Sequence, residues 1–72
     1  MNSIIKLTGR KEESILIGVN QIIEVTEIIF TETNGTKYPC TRIRSVGAMV
    51  TTNYVKESVD EIYEKINCVK NL

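Results

Sequence analysis

The sequence predicts an α+β fold: a small antiparallel sheet of about five short strands, followed by one C-terminal amphipathic helix. Three observations point there. Apolar and β-branched runs of strand length are separated by Gly, Asn and polar turn residues. Asn34-Gly35 is a strong hairpin signal, because both central residues of a type I′ turn need positive φ. Finally, Tyr54 to Ile66 passes from an extended segment into a helix without a Gly or Pro break, and Ser58 stands three residues before Glu61 as in a capping box.

The first strand is Ile4, Ile5 and Leu7, turned by Thr8-Gly9-Arg10-Lys11, and Ser14 to Ile17 forms the second, stopped by Gly18. Gln21 to Phe30 is long enough for either state, but Ile22, Ile23, Val25, Thr26, Ile28 and Ile29 favour a strand. Lys37 to Val46 follows the Asn-Gly turn, with Pro39 near its start, where a missing N–H is tolerated at an edge. Gly47-Ala48 then makes a tight turn into Met49 to Lys56. In the helix, Val59, Ile62, Tyr63, Ile66 and Val69 recur at helical spacing and form a stripe to be buried on the sheet. Asp60 and Glu61 in its first turn, with Lys65 and Lys70 near its far end, suit the helix dipole. The whole of residues 1–72 reads as one domain, with strands over about 3–56 and the helix over about 59–69.

A 72-residue chain has a small core, supplying about 3–5 kcal/mol without staples or partners, so a homo-oligomer is expected. Nine basic and nine acidic residues cancel, which removes the whole-molecule field of a nonspecific nucleic-acid binder; any anion has to be captured locally. No apolar run approaches the ~20 residues of a membrane span and no leader pattern precedes one, so the expected location is the cytosol, with no membrane partner. Cys40 and Cys68 read as reduced small hydrophobes. The chain has no His, which removes the commonest general base and the commonest zinc ligand. Glu12-Glu13 and Asp60-Glu61 are sequence neighbours rather than a ligand set. No metal, no cofactor and no enzymatic activity are expected.

One polar cluster has the chemistry of a binding site. Period two places Cys40, Arg42, Arg44 and Val46 on one face of the fourth strand, and Val50, Thr52, Tyr54 and Lys56 on one side of the fifth, with Thr51, Asn53 and Val55 opposite. The Gly47-Ala48 turn sets these strands side by side and leaves open which residues share a face. Arg42 and Arg44 offer bidentate contacts to phosphate, Tyr38 or Tyr54 a ring for a base, and Thr51, Thr52 and Asn53 groups for sugar or base edges. Exposed Arg and Thr are also ordinary strand residues.

Tyr-Val-Lys-Glu-Ser-Val-Asp-Glu-Ile at 54–62, with Ile-Ile-Lys-Leu-Thr at 4–8 and Asn34-Gly35 between them, resembles the FlbD or swarming-motility family of small flagellar proteins and similar phage-encoded proteins. In that family the Asn-Gly turn leads almost directly into the Val-Lys-Glu-Ser stretch, whereas here Tyr38 to Asn53 adds a strand hairpin that carries the Arg, Thr and Asn cluster. The phage likeness implies a non-enzymatic, oligomeric sponge of the anti-CBASS type, an immune-evasion protein sequestering a cyclic di- or oligonucleotide in the host cytosol. The flagellar likeness implies a protein-docking module. Lys6-Leu7-Thr8, Glu13 to Gly18 and Glu61 to Ile66 are also similar to the carbon storage regulator, implying RNA binding, though zero net charge makes nucleic acid the weaker expectation.

Overall fold

The computed structural model describes residues 3–70, without the side chain of Lys70. The expectation that Lys70 complements the helix dipole lies outside the described side chains. The elements are β1 (Ile4–Thr8), β2 (Ser14–Gly18), a single 3-10 turn at Val19–Gln21, β3 (Ile22–Thr31), β4 (Lys37–Val46), β5 (Val50–Val55) and α1 (Val59–Lys70). These are the five strands and the C-terminal helix of the α+β expectation. The strands form two antiparallel sheets rather than one: β1-β2, and β3-β4-β5 with β4 in the middle. A bridge between Gly9 and Val55, with the Lys56 N–H donating to the Thr8 carbonyl at 2.8 Å, joins them.

Two of the turns use the same device. In the first, the Glu12 N–H donates to the Gly9 carbonyl at 3.1 Å and the Gly9 N–H to the Glu13 carbonyl at 2.8 Å; in the second, Gly35 donates to Glu32 at 2.9 Å and Glu32 to Thr36 at 2.8 Å. Each is a three-residue loop whose last residue takes positive φ, Glu12 at 66° and Gly35 at 90°. The Asn-Gly turn is therefore not type I′, since Asn34 does not have positive φ. Its carboxamide oxygen instead accepts from the Thr36 N–H at 2.9 Å, an Asx contact that favours the wider loop. The β4–β5 loop spans Gly47 to Met49, so β5 starts at Val50, one residue later than expected.

Ile5, Leu7 and Ile17 from the first sheet, Val19 from the turn, Ile43 and Val55 from the second sheet, and Ile62 from α1 form the buried core. Their alternation along each strand is what makes one face of each sheet apolar. A bulge between Ile22 and Glu24 shifts the β3 register, so that Ile22 packs on the core although Val25 does too. Pro39 lies on the central strand, but β5 stops pairing at Val55 opposite Thr41, so the ring sits beyond the β4–β5 ladder.

The capping box is present: the Ser58 hydroxyl accepts from the Glu61 N–H at 3.1 Å and the Glu61 carboxylate from the Ser58 N–H at 3.2 Å. Ile62 is fully buried, and Ile66 and Val69 pack behind it. Tyr63 departs from the expected stripe. It is 63% exposed, because the buried face follows Ile62, Ile66 and Val69 and leaves the adjacent position on the flank. No helix among the described residues is long and apolar enough to cross a membrane.

Candidate functional site

Pairing settles which face each candidate residue occupies. Arg42 lies directly between Thr26 on β3 and Tyr54 on β5, and Arg44 between Glu24 and Thr52. Tyr38 is opposite Phe30, and Cys40 opposite Ile28. Side chains directly opposite in a ladder point to the same side of the sheet. Tyr38, Arg42, Arg44, Thr52 and Tyr54 therefore share the face turned away from the core. Thr51 and Asn53 do not: they pair with Ser45 and Ile43 and lie on the opposite face. The seven-residue cluster drawn from the sequence is split by strand alternation, five to two.

On the outer face the aromatic residues gather around Phe30. Its ring lies 5.6 Å from that of Tyr38, tilted by 35°, and 5.7 Å from that of Tyr54, edge to face at 68°. Both spacings are in the favourable range for aromatic pairs. Arg10 reaches this cluster from the β1–β2 turn. Its guanidinium carbon sits 3.7 Å from the centre of the Phe30 ring, and its Nε donates to the Tyr38 hydroxyl at 2.8 Å. That hydrogen bond is the main reason the Arg10 pKa is raised above its ordinary value. Glu32 stands 3.9 Å away on the other side. Concavities of about 430 and 400 Å³ flank the Arg10 side chain, the first lined by Phe30, Glu32 and Asn34, the second by Tyr38, Cys40 and Lys56. Either has the volume of a small-ligand site.

The other end of the face is cationic. An Arg42 terminal nitrogen meets a Glu24 carboxylate oxygen at 2.9 Å, a diagonal contact across the ladder. Its Nε–H is buried and has no acceptor among the described residues. A buried donor left unpaired costs about 1–3 kcal/mol, which an arriving anion would recover. Arg44, half-buried beside it, has no ion-pair partner among the described residues. Cys40 forms the floor between the two ends, and burial pushes its thiol pKa up. That makes it a packing residue rather than a nucleophile.

Sequence reasoning missed Arg10 and Phe30. Phe30 was accessible in principle, since the Asn-Gly loop fixes its pairing with Tyr38. Arg10 was not, because it arrives through the Gly9–Val55 bridge, a contact between distant parts of the chain. Comparison with protein families, curated proteins and solved structures finds no match. The chemistry of this face consequently carries the functional reading.

Proposed function

We propose that this protein is a non-enzymatic, homo-oligomeric binding protein that captures a cyclic di- or oligonucleotide on the outer face of the β3-β4-β5 sheet, as an immune-evasion sponge does. The observation that carries the reading is the register that sets Arg42 against Tyr54 and Arg44 against Thr52, next to Phe30, Tyr38 and Arg10. Arginine forks suit phosphate oxygens, aromatic rings suit bases, and the Thr52 hydroxyl suits a sugar or base edge. The Arg42 Nε–H, unpaired among the described residues, and Arg44, which makes no ion pair among them, are donors in place before the ligand arrives. A sequestering role asks only for retention, and such a site needs no acid, base or nucleophile.

The test is equilibrium binding of labelled cyclic dinucleotides and trinucleotides, followed by recovery of the ligand. The reading expects saturable binding, chemically intact ligand, and at least a tenfold loss of affinity in the Arg42→Ala/Arg44→Ala double variant. Thr51→Ala and Asn53→Ala, on the other face, should leave affinity unchanged. Unchanged affinity in the arginine variant would overturn the site, and ligand hydrolysis would overturn the sponge.

A docking module of the motility type is the second reading, favoured by β2. Among the described residues this strand pairs only with β1, and it holds Leu16 at 68% exposure, a side chain suited to strand addition by a peptide. Recovery of one protein partner whose binding is lost on Leu16→Lys, together with no nucleotide binding, would support it.

A further inference from the structure

Among the described residues, strand β3 is one of the two longest strands, with ten residues, and pairs only with β4. Its other edge joins no strand among the described residues. Natural edge strands of this kind are usually blunted by Pro, by Lys, by a bulge or by shortness; Ile22–Thr31 contains neither Pro nor a basic residue, and its bulge lies at one end, between Ile22 and Glu24, leaving Glu24–Thr31 a regular ladder against β4. It instead exposes two large apolar side chains, Ile23 at 54% and Ile29 at 63%. These two stand at equal distances on either side of Thr26.

We infer that β3 is a self-pairing edge, at which a second copy of this chain adds its own β3 antiparallel across a two-fold axis through Thr26. Such an axis, perpendicular to the sheet, brings together residues equidistant from Thr26. Ile23 then meets the partner's Ile29, and Ile29 the partner's Ile23, so both exposed isoleucines are covered at once. Thr26 meets its own copy. Glu24 falls opposite Ile28 and Val25 opposite Glu27, and no carboxylate faces a carboxylate.

Neighbouring registers are worse. An axis through Glu24 or Glu27 sets two like charges face to face, which destabilises a ladder. An axis through Val25 leaves Ile29 opposite Gln21, outside the strand. The interface is isologous and closes as a dimer, without an open end for growth. It also makes the two outer faces continuous in one six-stranded sheet. The inference stands on the edge itself and does not depend on the nucleotide reading.

The test is a single cysteine at the axis. Directly opposed residues have Cβ atoms about 4.5–5.5 Å apart, close to what a disulfide spans. In a Cys68→Ser background, Thr26→Cys should give a covalent dimer under mild oxidation, whereas Thr31→Cys, far from its own copy in this register, should not. The native protein should have a dimeric or higher mass, falling to half or less in the Ile23→Lys/Ile29→Lys variant with its circular dichroism unchanged. Failure of the Thr26→Cys variant to cross-link, equal cross-linking from position 31, or a mass unaffected by the lysines would each overturn the inference. Because the cysteine and lysine variants change exposed or half-exposed positions, neither depends on core packing. Nucleotide binding measured on the lysine variant separates the two proposals: loss of dimer with binding retained leaves the outer-face site standing.

Discussion

The backbone N–H of Thr8 donates to both carboxylate oxygens of Glu57, at 2.9 and 3.1 Å, across 49 positions of sequence. The Glu57 carbonyl in turn accepts from the buried Thr41 hydroxyl at 2.6 Å. One residue, placed just before the helix cap, therefore ties β1, β4 and α1 together. A hydrogen bond to a charged group contributes about 1.5–3 kcal/mol. Glu57→Ala should lower stability by about that amount, which for a chain of this size is a melting-temperature drop on the order of 10 °C. Glu57→Gln, which keeps one acceptor oxygen, should lose less. Thermal unfolding of the three proteins checks the order.

The two matching hairpin loops predict opposite responses. Glu12 occupies a left-handed position at φ 66°, where a residue with a Cβ is strained by about 1–2 kcal/mol. Glu12→Gly should raise stability by about 1 kcal/mol, and Gly35→Ala, at φ 90° with open space around it, should lower it by a similar amount. Glu12 also pairs with Lys56, but an exposed ion pair is worth only about 0–1 kcal/mol. Measuring Glu12→Gly in a Lys56→Ala background removes that contribution, and the gain should then be larger.

How much of this was legible in the sequence follows from how local each signal is. The capping box was readable because Ser58 and Glu61 are three residues apart and satisfy each other within one turn. The strand pairing of β4 with β5 was readable from the short Gly47-Ala48 connection. Face assignment needs the register, which sets Thr51 and Asn53 on the face opposite Arg42 and Tyr54. The division into two sheets, the arrival of Arg10 over Phe30 and the Glu57 contacts all depend on the Gly9–Val55 junction. No periodicity or turn chemistry encodes a junction between segments that far apart. Tyr63 shows the converse error: helical spacing alone draws a stripe wider than the face the sheets cover.

Cys40 and Cys68 should differ in chemistry. Cys40 is buried and Cys68 exposed, so a thiol reagent should modify Cys68 in the native protein and Cys40 only on unfolding. Burial raises the folded-state pKa of Cys40. The folded protein then holds its proton where the unfolded chain has released it. Stability should be unaffected by this group below the unfolded thiol value of about 8.5, and fall as pH rises above it. Cys40→Val should flatten that alkaline decline relative to the native chain. Denaturant midpoints between pH 7 and 10 read the difference.

Core burial sets the largest expected loss. Ile62 is fully buried and carries the packing of α1 against the sheets. Ile62→Ala should cost about 2–5 kcal/mol, a large part of what a domain this small possesses. Tyr63→Ala, one residue on and exposed, should change stability by less than about 0.5 kcal/mol. Urea titration of both variants distinguishes the buried stripe seen here from the wider one that helical spacing draws.

Capture of a cyclic nucleotide is best tested by a thermal-shift measurement of the native protein against a panel of cyclic di- and trinucleotides, with the solution mass taken on the same sample. A ligand present at a hundred times its dissociation constant stabilises the fold by about 2.7 kcal/mol. A capturing protein of oligomeric mass should show a clear upward shift with one or two members of the panel, absent in the Arg42→Ala/Arg44→Ala variant. No shift with any member, at concentrations where the fold itself is intact, would contradict capture.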